Sequence, residues 1–166
     1  MTRRRDALSP EGGEGRGEGK RLLVLSSSRS SHAARLTRLA QSFATTLKLK
    51  NCELSLSLVR DPAIRKLKRE YFGIDAATDV LSFPAGDFPG PGPRPLGDIV
   101  ISLDTARRAA KELDTTLERE LALYLAHGLL HLLGHDHQTK PEARRMARLE
   151  KKLLGSEGML ARSAEL

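Results

Sequence analysis

Four of the chain's five histidines lie in one short segment, LAHGLLHLLGHDHQ, at positions 125–138. His127 and His131 are four residues apart on an apolar helical pattern, so both imidazoles are expected on one helix face, one turn apart. Gly134 can end that helix in a left-handed conformation, which would let His137 fold back towards them. Three imidazoles with a fourth position open to water form a catalytic zinc site. The segment therefore predicts one Zn²⁺ per chain, held by His127, His131 and His137, with His127 and His131 as catalytic residues.

The other residues of this kind have different expected roles. Asp136 lies between two histidines and can hold the free ring nitrogen of a metal ligand. His135 does not fit the spacing of the three ligands and is expected on the surface or beside the site, and His32 is an isolated histidine. Structural zinc sites usually have four protein ligands with cysteines among them. Cys52 is the only cysteine of the chain, so a catalytic site is the better interpretation.

Gly128 follows the first histidine and bears on the chemistry. The spacing H-x3-H-x2-G-x2-H also occurs in metzincin proteases, which have a glutamate general base immediately after the first histidine. Here that position is Gly128, although glycine costs about 1 kcal/mol relative to alanine within a helix. Either the missing side chain leaves room for a bulky substrate beside the metal, or it lets the helix pack closely against a strand. In both cases the base of a zinc protease is missing.

The alternation of strand and helix patterns predicts the scaffold. Apolar or alternating runs predict strands at 21–28, 52–59, 78–84 and 97–102, and helical spacing predicts helices at 32–50, 61–71, 104–113, 115–134 and 140–154. The proline- and glycine-rich segment 85–95 is expected to be a surface loop that joins two strands into a hairpin. These elements predict a single α/β domain with a mixed sheet of about four strands packed with helices, and the long metal-binding helix at its centre.

Helix ends are predicted from capping residues. Asp61 is expected to cap the second helix, and Gly155 to follow directly after the last one. The long helix is expected to begin with a threonine cap and a glutamate capping box, and the residues open for these roles are Thr115 or Thr116 with Glu118 or Glu120.

Length and composition limit the protein class. The 166 residues favour one domain at 21–155, with a disordered tail at 1–20 that is rich in Gly, Glu and Arg, and a short C-terminal tail at 156–166. No apolar run approaches the roughly 20 residues of a membrane span, and the start does not read as a signal peptide. The lone cysteine favours the reducing cytoplasm. The net charge of +7 indicates a polyanionic partner.

Two motifs resemble a known family. The segment HGLLHLLGHDH, at 127–137, matches the pattern H-G-x-L-H-L-x-G-x-D-H of the YbeY family, the endoribonucleases and rRNA maturation factors of bacteria. Upstream, TDVLSFP at 78–84 and LGDIVIS at 96–102 resemble the family's other hallmark, in the same order and with a plausible gap. The order of strands and helices from about Arg21 to Gly155 also fits.

The resemblance implies a single-strand-specific, metal-dependent endoribonuclease that acts in 16S rRNA 3′-end maturation and ribosome quality control. Its partners would be ribosomal RNA and the 30S subunit or its proteins, with no membrane and no nucleotide cofactor. The implied ligands are His127, His131 and His137, and the implied metal is zinc. His135 stands where the family usually has tyrosine, which again leaves it out of the ligand set. The nucleophile would be water or the adjacent 2′-OH.

The chain departs from the family at one position. The family usually has an arginine, thought to bind or orient the phosphate, where this chain has Phe72 in the pair Tyr71-Phe72. The role could move to a neighbouring basic residue, and the sequence leaves Arg69, Lys68 and Arg65 open.

Phosphate binding requires cations, and two helices carry clusters of them. The clusters are Lys66, Lys68 and Arg69 on the second helix and Arg144, Arg145 and Arg148 on the last. Lys68, Arg69, Arg144 and Arg145 are the chosen RNA-binding candidates, and binding is expected to weaken steeply with salt. Asp79 and Asp98, beside the hallmark strands, are candidates for the edge of the site or ordinary turn residues.

Two other functions remain open at this stage. One is a metallohydrolase of another substrate class, a peptidase in particular, against which Gly128 argues. The other is a ribosome assembly factor without catalytic activity, whose metal holds the fold together.

Overall fold

Residues 22–158 are the part of the chain that a computed structural model describes, and they form four strands and five helices. The strands are β1 (Leu23–Ser26), β2 (Cys52–Val59), β3 (Val80–Pro84) and β4 (Arg94–Ser102). The helices are α1 (Ser31–Thr46), α2 (Asp61–Phe72), α3 (Leu103–Glu112), α4 (Leu117–Leu132) and α5 (Lys140–Ser156). The predicted tail at 1–20, and all but the first three residues of the one at 156–166, lie outside the described residues.

The strands form one mixed sheet in the order β1-β2-β4-β3. β1, β2 and β4 are parallel to one another, and β3 pairs with β4 in the antiparallel direction, which confirms the predicted hairpin. β2 alternates as its sequence predicts, with Cys52, Leu54 and Leu56 buried on one face. The predicted fold class, an α/β domain with a mixed sheet of four strands, is confirmed.

α4 lies at the centre of the molecule. It packs on β3 and β4 and also contacts α1, α3 and α5. Because neighbours surround it, it is apolar on most of its circumference, and Leu121, Leu125 and Leu129 are buried. The expected central position of the long helix is confirmed. Of the helices in the described range, none combines the length and apolarity needed to cross a bilayer.

α2 covers the other face of the sheet. Leu81 and Val100 are opposite one another on β3 and β4, and they form a small core with Ile64 of α2. Phe83 packs against the same cluster. The neighbouring residue Ser82 faces α4 instead, because alternate residues of a strand point to opposite faces. β3 therefore separates two packed layers at the edge of the sheet.

The prediction that Asp61 caps α2 is wrong. Arg60 occupies the cap position, and Asp61 is the first residue of the helix. Its carboxylate instead accepts hydrogen bonds from Ser102 Oγ at 2.6 Å, Thr105 Oγ1 at 2.9 Å and Arg108 Nη1 at 2.7 Å, which tie α2 to α3. Partial burial raises the pKa of Asp61, but the hydrogen bonds from Arg108, Ser102 and Thr105 outweigh it and hold the pKa below its usual value.

Two other helix ends differ in detail. Thr116 caps α4, as one of the two predicted choices, whereas the buried Glu120 accepts a hydrogen bond from Thr115 Oγ1 at 2.6 Å and closes no capping box. The prediction that Gly155 follows the last helix is wrong, because α5 continues through it to Ser156. The glycine with the left-handed conformation beyond this helix is Gly158, with φ 68°.

Candidate metal centre

The end of α4 positions the histidines. His127 and His131 lie on its last two turns, and the helix ends at Leu132. Gly134 has φ 90°, which is the left-handed conformation predicted for it. Its N–H donates to the carbonyl of His131 at 3.0 Å, and this turn sends the chain back so that His137 approaches the other two rings.

The three predicted ligands form one cluster. One ring nitrogen of each histidine lies within 4.8 Å of the corresponding nitrogens of the other two. The Nε2 atoms of His127 and His131 are 3.1 Å apart, and the ring of His137 is centred 5.5 Å and 5.2 Å from the rings of His127 and His131. The cluster formed by His127, His131 and His137 could hold a metal ion.

A carboxylate fixes the orientation of the first ring. Nδ1 of His127 lies 2.6 Å from Oε1 of Glu150, whose side chain is 19% exposed. A carboxylate in this position holds the proton on Nδ1, so the lone pair of Nε2 faces the cluster. Sequence reasoning missed Glu150. Its signal is a charged residue on the apolar face of α5, four residues after the buried Met146 and three before the buried Leu153.

Electrostatics keep the second ring neutral. Burial lowers the pKa of His131, and the neighbouring His127 and His137 lower it further. The charge of Asp136 and the backbone of His135 raise the pKa of His131, but they do not outweigh the lowering. Since neutral imidazole is the form that binds metal ions, the pKa shift favours the ligand state of His131.

The donor set fits a divalent transition-metal ion. Because Nδ1 of His127 donates to Glu150, its Nε2 is an acceptor, and it faces another ring nitrogen at 3.1 Å. Nε2 of His131 either donates its N–H to this lone pair or, in the other neutral tautomer, presents a second lone pair that could share a cation with it. Imidazole nitrogens are ligands that zinc binds well, and three of them leave a coordination position for a substrate or water.

Asp136 stiffens the turn that carries the third ligand. Its Oδ1 accepts a hydrogen bond from the backbone N–H of His137 at 2.7 Å. The sequence predicts that Asp136 holds the free ring nitrogen of a metal ligand. At His127 it is Glu150 that makes this contact, and for Asp136 the role stays a prediction. His135 and His32 are not members of the cluster.

Gly128 brings α4 close to the sheet. A Cβ atom at this position would lie 3.0 Å from Cγ2 of Ile99 and 3.2 Å from Oγ of Ser82. The Ser82 hydroxyl also donates a hydrogen bond to the carbonyl of Gly128 at 3.3 Å. Of the two explanations for this glycine, the contacts support close packing against a strand, and the space beside it is already filled.

Replacing Gly128 with alanine is expected to lower the free energy of unfolding. Overpacking of this kind costs about 1–3 kcal/mol, whereas alanine gains about 1 kcal/mol over glycine in helix propensity. Urea denaturation of the metal-free protein measures the difference. Gly155→Ala is the matched control, because the same change at an exposed position of α5 should raise stability. Equal gains in both variants would contradict the close approach at Gly128.

The basic candidates of α2 are mostly compensated by acidic neighbours. Arg65 makes two hydrogen bonds to Asp75, at 2.8 Å and 3.0 Å, and Arg69 lies 3.6 Å from the same carboxylate. Lys66 lies 3.8 Å from Glu70. Lys68 is half-buried on this helix.

The basic candidates of α5 lie on the helix that contacts the cluster. Arg144, Arg145 and Arg148 are exposed, and Glu150 of the same helix holds His127. Their contact with RNA stays a prediction.

The two aspartates beside the hallmark strands are not members of the histidine cluster. Asp79 accepts a hydrogen bond from the N–H of Val80 at 2.7 Å, which is the behaviour of a turn residue. Asp98 is paired with Phe83 across the hairpin, and such pairs share one face of a sheet, here the face that α2 covers. Neither observation brings these carboxylates to the metal centre.

The chain is similar to known proteins that share one description. A family model described as Endoribonuclease YbeY matches residues 25–158. A protein of Myxococcus xanthus (strain DK1622) named Endoribonuclease YbeY is 62% identical over 133 residues, which are 79% of this chain and 45% of that protein. A protein of the same name from Anaeromyxobacter sp. (strain Fw109-5) is 52% identical over 78% of this chain and 67% of its own length. The matched segment thus spans less than half of the Myxococcus relative.

A solved structure shares the fold. The solution structure of TM1509 from Thermotoga maritima superposes with a TM-score of 0.54, over 82% of this chain and 91% of that one. Its sequence identity is 23%, so the likeness bears on the fold alone.

Proposed function

The chain belongs to the YbeY family, and we propose that it is a single-strand-specific, zinc-dependent endoribonuclease that hydrolyses RNA phosphodiester bonds. The two motifs that suggested this family are therefore correctly interpreted. The proposed work is 16S rRNA 3′-end maturation and ribosome quality control, in the cytoplasm, with ribosomal RNA and the 30S subunit or its proteins as partners. The relatives that carry the name endoribonuclease support the activity, and the specific substrate follows from the family resemblance.

The observation that carries the proposal is the cluster of three imidazoles at the end of α4. His127, His131 and His137 supply nitrogen donors within 4.8 Å of one another, and no further protein ligand is grouped with them among the described residues. Three protein ligands with an open position are typical of catalytic zinc sites, whereas structural sites are closed by a fourth.

The residues of the chain and the ion have separate tasks. A zinc ion at this site would supply Lewis-acid catalysis by withdrawing negative charge from the scissile phosphodiester. Glu150 keeps Nε2 of His127 directed at the site, and burial keeps His131 neutral. Asp136 holds the backbone of the turn that presents His137. The exposed Arg144 and Arg145 attract the phosphates of the RNA strand.

The peptidase alternative conflicts with the packing of α4. A zinc protease with this histidine spacing needs a glutamate at the position of Gly128. Ile99 and Ser82 fill the space where even a Cβ atom would lie. A general base therefore has no place there, and a phosphodiester substrate remains the better choice for this site.

Cleavage of a labelled single-stranded RNA with a 16S 3′ precursor end tests the proposal. We expect the zinc-loaded protein to cut this RNA and to spare the same sequence in a full duplex. A chelator should abolish cleavage and added zinc should restore it. The products identify the nucleophile, because attack by the 2′-OH leaves a 2′,3′-cyclic phosphate and attack by water does not.

Two outcomes would overturn the proposal in different directions. RNA binding without cleavage by the zinc-loaded protein would favour a ribosome assembly factor, and unfolding on metal removal would add that the metal is structural. Cleavage of a peptide substrate that the chelator abolishes would restore the peptidase.

A further inference from the structure

We propose that Tyr71, Phe72 and Phe83 form a stacking platform for unpaired nucleobases of the RNA strand. This inference rests on the proposed function for its ligand, and it deepens that function by naming where the bases bind. Tyr71 is 66% exposed and Phe72 is 51% exposed. Their ring centres lie 5.0 Å and 5.9 Å from that of Phe83, so the three rings form one continuous aromatic surface.

This chain gathers three of its aromatic rings at one place, although it also exposes Phe88, at 48%, on the loop between β3 and β4. It has only six aromatic residues, four Phe and two Tyr, and no Trp. Phe43 and Tyr124 are buried in the core, where large apolar side chains give most stabilisation. Half of the scarce aromatic residues are instead gathered at one place on the surface. Such a patch on a soluble domain usually marks a binding site.

The fold holds the platform in a fixed position. α2 ends at Phe72, and Gly73 closes it in a left-handed conformation with its N–H on the carbonyl of Arg69 at 3.1 Å. Tyr71 and Phe72 are therefore the last two residues of the helix, and their side chains are exposed. Phe83 lies on β3 and is anchored by the small core beneath α2. Rings held in this way lose little conformational freedom when a base stacks on them.

The platform adjoins the metal centre across one strand. Ser82, the neighbour of Phe83 on β3, donates to the carbonyl of Gly128, and Gly128 directly follows the ligand His127. β3 is an edge strand of the sheet that the described residues form. An RNA strand can therefore pass over this edge, with its bases on the platform and its backbone continuing towards the histidines.

Charge favours a nucleic acid as the occupant. Lys68 lies one helical turn before Phe72 and forms no ion pair within the described residues, unlike the other three basic residues of α2. Sites for single-stranded nucleic acid combine cations that follow the phosphates with aromatic rings on which bases stack. A duplex offers no unpaired bases to such a surface, so the platform would also account for a preference for single strands.

The test measures binding of a short 2′-O-methyl oligoribonucleotide to the zinc-loaded full chain, and gel analysis after each titration shows that the strand has stayed intact, because methylation blocks attack by the 2′-OH but not by water. We expect Phe72→Ala and Tyr71→Ala each to weaken binding by about fivefold or more, as loss of one stacked base requires. Tyr71→Phe keeps a ring and should bind like the wild type. An abasic strand with the same number of phosphates should bind all of these proteins alike.

A fluorescent variant reports stacking directly. Because the chain has no tryptophan, Phe72→Trp introduces a single reporter, and its emission should be quenched by the oligoribonucleotide and not by the abasic strand. Zinc content and circular dichroism of each variant show that the fold and the metal centre are intact.

The results separate the platform from the proposed function. Unchanged binding in both alanine variants, or an equal loss for the abasic strand, overturns the platform even if the wild type cleaves RNA. If the alanine variants lose binding to the oligoribonucleotide but not to the abasic strand, the platform is supported. If the wild type also cuts no RNA, the endoribonuclease is refuted.

Discussion

His131→Ala should lose zinc and RNA cleavage together. His131 contributes one of three nitrogen donors within 4.8 Å, and its Nε2 lies 3.1 Å from that of His127. Two remaining imidazoles cannot hold the ion with comparable affinity. Mutation of a residue that only supports a metal ligand commonly lowers metal affinity or activity by about 10–100-fold. For a ligand itself we therefore expect zinc affinity and cleavage rate to fall by at least about 100-fold.

The measurement pairs zinc content with the cleavage rate of the single-stranded RNA on the same samples. His32→Ala is the matched control, since it makes the same change at a histidine outside the cluster and should keep both properties. Retention of zinc and cleavage in His131→Ala would show that the metal centre is wrongly assigned. Loss of zinc with unchanged cleavage would separate the metal from the chemistry and would falsify the zinc-dependent mechanism.

The part of this site that the sequence predicts is the part built from local geometry. His127 and His131 meet because residues four apart on a helix lie on one face, and Gly134 turns the chain because glycine adopts the left-handed conformation at little cost. The β3–β4 hairpin and the alternating strand β2 follow from equally short-range patterns.

The features that the sequence does not predict depend on contacts between distant segments. Glu150 reaches His127 from 23 residues further along the chain, and only the packing of α5 on α4 brings them together. Asp61 has the sequence context of a helix cap, yet Ser102, Thr105 and Arg108 bind its carboxylate from more than 40 residues away. Capping rules weigh local competition for the backbone N–H groups, and they contain no information about such partners.

The aromatic platform also depends on a contact between distant segments that the sequence does not predict. The pair Tyr71-Phe72 reads in the sequence only as the loss of an arginine. Its proposed role depends on the sheet, which places Phe83 against both rings and Ser82 against α4. A departure from a family motif can thus point to a changed mode of substrate binding, which the binding test can decide.

Glu150→Gln should weaken zinc binding by about 10–100-fold while leaving the fold intact. The glutamine has nearly the same shape, and its amide oxygen can still accept from Nδ1 of His127. The glutamine lacks the negative charge of Glu150. That charge makes the imidazole of His127 a better donor to the ion and favours the tautomer with the lone pair of Nε2 directed at the cluster. Glu150→Ala removes the acceptor as well and should have the larger effect.

Competition titration against a chelator of known affinity measures the dissociation constant for zinc in each variant. Glu118→Gln is the matched control, because Glu118 forms an exposed ion pair with Arg35 at 3.3 Å and such pairs contribute little. Saturating zinc should largely restore RNA cleavage in Glu150→Gln, since all three ligands remain, whereas His131→Ala should stay inactive at the same concentration. If Glu150→Gln bound zinc as tightly as the wild type, the orientation of His127 would have to come from the packing of α4 alone.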